Sequence, residues 1–114
     1  MNASTTARTL ARRELTQAIT AEARSQLAEH GADGLSLRAV ARALGMASSA
    51  LYRYFPSRDA LLTALIIDAY DDLADAAGAA ESAVPRDDLR GRWLAVCRGV
   101  RDWALAHPAE YGLI

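Results

Sequence analysis

Lysine is absent from this chain. All thirteen basic residues are arginine, a bias that reads as GC-rich coding and not as a functional device. Cysteine occurs once, at Cys97, so no intrachain disulfide can form and a reducing, cytoplasmic setting fits. Only three prolines and seven glycines interrupt a chain that holds 26 alanines, and so little punctuation favours helix nearly throughout. No apolar run approaches the roughly 20 residues needed to cross a bilayer. The segment from Met1 to Leu10 lacks the apolar stretch of a secretion signal. Wholesale disorder is excluded from the other side, because hydrophobic residues make up 52% of the sequence. With 114 residues, the expectation is one domain, or one small domain with part of a second, in an all-α fold.

The formal net charge of −1 hides an asymmetry. Residues 1–60 carry eight arginines against five acids, and residues 61–114 carry five against nine. A polyanion is attracted to the first part and repelled by the second. With so few charges such a split also arises by chance, and it gains meaning only if the basic part carries a motif.

Apolar periodicity divides the chain into helices. Leu15, Ile19, Ala23 and Leu27 recur every four residues, with Ala11 extending the stripe backward, which predicts a helix over 9–30 after a flexible arm at 1–8. Gly31 supplies its C-cap. Ser36 is positioned as an N-cap for a short helix whose Leu37, Val40, Ala41 and Leu44 share one face, and Gly45 stops it. A third helix is expected over 48–54, with Met46, Ala50, Leu51 and Phe55 inward and Ser48, Ser49, Tyr52 and Arg53 outward. Pro56 ends it. Ser57 caps a fourth helix, expected over 58–77, with Leu61, Leu62, Leu65, Ile66, Ala69 and Leu73 on one wide face. Gly78 through Pro85 reads as a loop. Asp87 or Asp88 then caps a fifth helix reaching His107, with Leu89, Trp93, Val96, Cys97, Val100 and Ala104 on one face.

Two short helices separated by a glycine-containing turn, within Leu35–Leu62 (LSLRAVARALGMASSALYRYFPSRDALL), read as a helix-turn-helix. Such pairs also occur as plain core structure. Here the succession Ser-x-Arg-x-Val-Ala, Leu-Gly, Leu-Tyr-x-Tyr-Phe and Arg-Asp-x-Leu-Leu resembles the N-terminal signature of TetR-family transcriptional repressors over roughly residues 9–66. The resemblance implies a three-helix DNA-binding domain over 9–62, followed at 63–114 by the first helices of an α-helical ligand-binding and dimerisation domain. It implies a repressor that binds a palindromic operator in double-stranded DNA, dimerises in its full-length form and is released by a small-molecule effector. Family members continue for several more helices, so the sequence reads as the N-terminal half of such a protein.

The resemblance also implies roles for particular residues. Ser36 and Arg38 match positions that touch phosphate at the edge of the site. Ser48, Ser49 and Ala50 match those facing base edges. Tyr52 and Tyr54 match positions that hydrogen-bond phosphates, and Arg58 matches a basic residue that clamps the DNA backbone. The residue chemistry agrees: small side chains let the helix tip enter the groove, serine hydroxyls bond to any base, and Arg53 can bond a guanine in bidentate fashion. Tyr54 also reads as a core aromatic, Arg53 as a solvated or phosphate-bound charge, and Ser48 as an N-cap. Ala47 departs from the family's usual serine or threonine cap, so the cap is expected to shift to Ser48 or to weaken. Trp93, Cys97 and Val100 are candidates for effector contact, although Cys97 lies on the apolar stripe and is expected to be a buried thiol. No cofactor, metal site or catalytic arrangement is indicated: His30 and His107 have no ligand-spaced partner, and Asp71, Asp72 and Asp75 read as a solvated face.

Overall fold

Helix α1 runs from Ala3 to His30 and is followed by a 3₁₀ turn at Ala32–Gly34. The computed structural model describes residues 3–114, and among them there is no strand. The helix begins ahead of the apolar stripe because nothing between Ala3 and Thr9 breaks it. There is no glycine or proline there, and the Thr9 hydroxyl donates back to the Thr5 carbonyl at 3.0 Å. Residues 3–8 are therefore helix and not a flexible arm, while Met1 and Asn2 lie outside the described residues. Ile19, Ala23 and Leu27 are fully buried, but Leu15 is only half-buried and Ala11 is exposed. The physical reason is length. A helix of 28 residues is about 42 Å long, and the seven-residue α2 that packs on it is only about 10 Å long.

Helix α2, Leu37–Ala43, starts as its sequence indicates: the Ser36 hydroxyl accepts from the Ala39 amide at 3.3 Å. Its end is set by Gly45 at φ +67°. The Met46 amide donates to the Ala41 carbonyl at 2.8 Å and the Gly45 amide to that of Arg42 at 3.2 Å. These two bonds form a Schellman closure, which needs a left-handed residue and hence glycine.

Helix α3 is only Ser48–Tyr52, too short to persist alone in water. Ala47 occupies the N-cap position without any side-chain bond. The cap does not move to Ser48, because the Ala47 carbonyl already accepts from the Ala50 and Leu51 amides, leaving Ser48 inside the first turn. Tertiary packing holds the helix instead. Leu51 and Phe55 are buried, and α3 packs against α2. Burying one such side chain is worth about 1.5–3 kcal/mol, enough to offset a missing cap of about 1 kcal/mol.

Helix α4 spans Arg58–Ser82. Ser57 caps it by accepting from the Ala60 amide at 3.0 Å. The helix passes straight through Gly78, where a loop is expected from sequence. Gly78 costs about 1 kcal/mol in a helix, but Ala76, Ala77, Ala79 and Ala80 surround it with the best helix former, and the Ser82 hydroxyl donates to its carbonyl at 2.8 Å. Leu61, Leu65 and Ala69 are buried, whereas Leu62, Ile66 and Leu73 are half-buried.

Two units are distinguishable along the chain, the first ending at Leu65 and the second beginning at Ile66. In the second, α5 (Leu89–Ala106) is capped by the Asp88 carboxylate, which accepts from the Gly91 amide at 2.9 Å, and α6 (Pro108–Tyr111) follows with proline at its first position. A side chain at Gly99 would collide with the Ala80 methyl, so glycine there lets the two backbones approach. Trp103 is buried and stacks on His107 at 5.1 Å. The face of α5 expected to be apolar and buried is largely not so: Leu89, Trp93 and Cys97 are exposed. No helix of the described residues is long and apolar enough to cross a membrane.

Candidate nucleic-acid interface

The turn between α2 and α3 leaves α3 with one face anchored and one free. Leu51 is fully buried and Phe55 nearly so, and this turns Ser49, Tyr52 and Arg53 to solvent. Ser48 and Ala50 are half-buried at the helix opening. The outward side chains at the tip are small, so the backbone of α3 can approach another surface closely. Arg53 makes no ion pair among the described residues, and all five of its donors remain available.

Beside α3 lies an open cleft of about 470 Å³ lined by Leu35, Ser36, Leu37, Arg38, Tyr52, Pro56, Ser57 and Arg58. It gathers four of the residues singled out by sequence: Ser36, Arg38, Tyr52 and Arg58. Two cations, three hydroxyls and the start of α4 converge there, without a carboxylate in the lining. The N-terminal amides of a long helix such as α4 carry partial positive charge. The cleft suits an anion.

Arg58 does not sit there as a free clamp. Its Nε donates to the Leu35 carbonyl at 3.0 Å and a terminal nitrogen donates to the Ala32 carbonyl. The guanidinium thus ties the first turn of α4 to the 3₁₀ turn and the entry of α2. Local sequence could not reveal this, because the acceptors are backbone carbonyls in a distant turn.

Tyr54, just past α3, is half-buried. The Arg12 guanidinium of α1 lies over its ring, 4.7 Å from the centroid. The apolar periodicity of α1 carries no sign of this contact. The run Arg8, Arg12 and Arg13 is a visible signal of charge, but not of its location.

In the second unit, Trp93, Cys97 and Val100 lie along one side of α5, Trp93 and Cys97 exposed and Val100 half-buried. The small groove there, about 240 Å³, is lined by Trp93 with Glu81, Leu89, Arg92 and Val96. Arg92 donates to the Glu81 carboxylate at 2.9 and 2.5 Å, and this hydrogen-bonded cation holds the Glu81 carboxyl below its ordinary range. Among the described residues no group of three or more His, Cys, Asp or Glu side chains could hold a metal ion.

Residues 19–65 match the family model for bacterial regulatory proteins of the tetR family. The HTH-type transcriptional regulator Rv1816 of Mycobacterium tuberculosis is 49% identical over 104 residues, which is 91% of this chain and 44% of the relative. The chain therefore spans less than half the length of the curated relatives it matches. Among solved structures, SCO4313 is 43% identical with a TM-score of 0.76, over 90% of this chain and 48% of that one. A protein from Rhodococcus sp. RHA1 is 34% identical with a TM-score of 0.79, over 87% and 50%. The matched segment begins in the buried stripe of α1 and ends with Leu65, so it contains the whole helix-turn-helix and the cleft beside it. From the buried stripe of α1 through Leu65 the chain is thus similar to bacterial regulatory proteins of the tetR family, and over most of its length to HTH-type transcriptional regulators.

Proposed function

We propose that this chain binds double-stranded DNA by laying α3 in the major groove while the cleft beside it grips the phosphate backbone. The observation that carries the reading is the orientation of α3. Leu51 within it and Phe55 just beyond it are buried, while Ser49, Tyr52 and Arg53 are exposed and Ser48 and Ala50 are half-buried at its opening. In the proposed complex Ser48, Ser49 and Ala50 face base edges, and Arg53, the C-cap of α3, supplies the one side chain there able to bond guanine in bidentate fashion. Ser36, Arg38, Tyr52 and Tyr54 bond phosphates, which positions the helix without reading sequence. Arg58 contributes its charge to the cleft while holding the cleft's shape.

The protein acts in the cytoplasm as a repressor, two copies bind a palindromic operator with recognition helices about one DNA turn apart, and a small apolar or amphipathic effector at Trp93, Cys97 and Val100 releases them. The exposed apolar side of α5 supports an effector or partner on that surface.

Binding of a fluorescent duplex from the gene's own upstream region, titrated with salt, tests the DNA reading. Ser49→Glu should abolish preference for that duplex over random DNA by placing a carboxylate against base edges. Retained preference would overturn the placement of α3.

A further inference from the structure

Arg12 is exposed on α1, and Tyr54, against which it rests, immediately follows the exposed face of α3. A guanidinium lying on an aromatic ring has one face fixed by the cation–π attraction, while its in-plane N–H donors still point outward. Such a group is oriented but not consumed. Among the described residues neither Arg12 nor Arg8, one helical turn earlier and also exposed, forms an ion pair. An oriented, unneutralised cation beside the proposed DNA-binding face is available to an anionic partner. The planar fork of arginine matches a phosphate diester oxygen pair better than any single acceptor.

We infer that Arg12, oriented by the Tyr54 ring, takes a backbone phosphate of the same duplex that α3 enters, so that the interface extends from the helix-turn-helix onto α1. Arg8 adds charge one turn further along. The inference rests on the DNA-binding reading and adds a contact surface to it. Tyr54 then has two separable functions: its hydroxyl bonds a phosphate, and its ring aims Arg12.

The test uses the full chain with a random-sequence duplex and the upstream duplex, each over a range of salt concentrations. Arg12→Gln should lower the salt slope by about 0.9, the value for one phosphate contact, on both duplexes, while the melting temperature falls by only the few degrees that losing the cation–π contact entails. Arg12→Lys should keep the slope but weaken binding several-fold, since charge remains and the fork is lost. Tyr54→Phe keeps the ring, so Arg12→Gln in that background should still lower the slope. Tyr54→Leu removes the ring, and Arg12→Gln should then have a smaller effect. An unchanged slope in Arg12→Gln, with Arg38→Gln still lowering it, overturns this inference alone. Failure of the unsubstituted chain to bind either duplex overturns both readings.

Discussion

Replacing Arg58 with alanine should unfold the recognition unit before it changes the chemistry of DNA binding. Two charge-assisted bonds disappear, from Nε to the Leu35 carbonyl and from a terminal nitrogen to the Ala32 carbonyl. Bonds of this type are worth about 1.5–3 kcal/mol each when buried. Here the side chain is only half-buried, and the Ala32 carbonyl keeps the Leu35 amide at 3.2 Å, so about 2 kcal/mol in total is the expected loss. For a unit of this size that is roughly 8–16 °C in melting temperature, readable by circular dichroism and by urea unfolding at constant m. Arg58→Lys keeps the charge but not the two-pronged geometry, and should recover less than half of the loss. Below the melting transition, the salt slope for random-sequence DNA should fall by less than one unit, because two of the five guanidinium donors are committed to protein carbonyls and only the remaining charge faces the cleft. A slope that falls by a full unit with an unchanged melting temperature would refute the brace and restore Arg58 as a phosphate clamp.

Three further outcomes follow from the same geometry. Cys97 is exposed, so the native chain should react stoichiometrically with a thiol reagent such as dithionitrobenzoate as fast as the urea-unfolded chain; protection in the native state would place the thiol inside. Gly45→Ala should cost about 1–2 kcal/mol by equilibrium unfolding, purely from the left-handed backbone, because a methyl group there meets no atom within 4 Å; a neutral result would mean that the turn relaxes. The depressed Glu81 carboxyl links stability to pH: the folded form binds its proton less readily than the unfolded form, so the Arg92 pairing stabilises fully above the ordinary glutamate value of 4.5 and is lost as pH falls through the lowered one. Melts of Arg92→Gln and the unsubstituted chain should therefore differ at pH 7 and converge toward pH 3, and a constant difference would show that Arg92 acts by packing alone.

What the sequence made legible is what local chemistry decides. Ser36 and Ser57 cap the helices they precede, and Gly45 adopts the positive φ that ends α2. Both follow from side-chain oxygens and a missing Cβ, with no tertiary information required. The buried stripe of α1 was equally readable at Ile19, Ala23 and Leu27. Reading failed where the outcome depends on how far a partner reaches. Ala11 continues the apolar period and is exposed, and Cys97 shares a face with Val100 yet meets solvent. Periodicity reports which side of a helix can be buried; only the length and position of the neighbour decides how much of it is. Gly78 failed for a different reason: its own propensity argues for a break, but the alanines around it outweigh it.

The site shows the same division at the level of function. The residues that resemble family positions could be named from the motif, and four of them do line one cleft. What the motif could not supply is the coupling between cations and the scaffold, since Arg58 reaches backbone carbonyls and Arg12 reaches a ring that follows another helix. These two arginines carry the same charge, and a count of basic residues treats them alike. Their surroundings separate them. One has donors bound to protein acceptors and can transmit position from α4 to the entry of α2, and the other has a ring beneath it and its donors outward. Removing Arg58 should therefore appear first in stability and removing Arg12 first in the salt dependence of binding. The pair of substitutions, measured side by side, separates a cation that builds the surface from one that uses it.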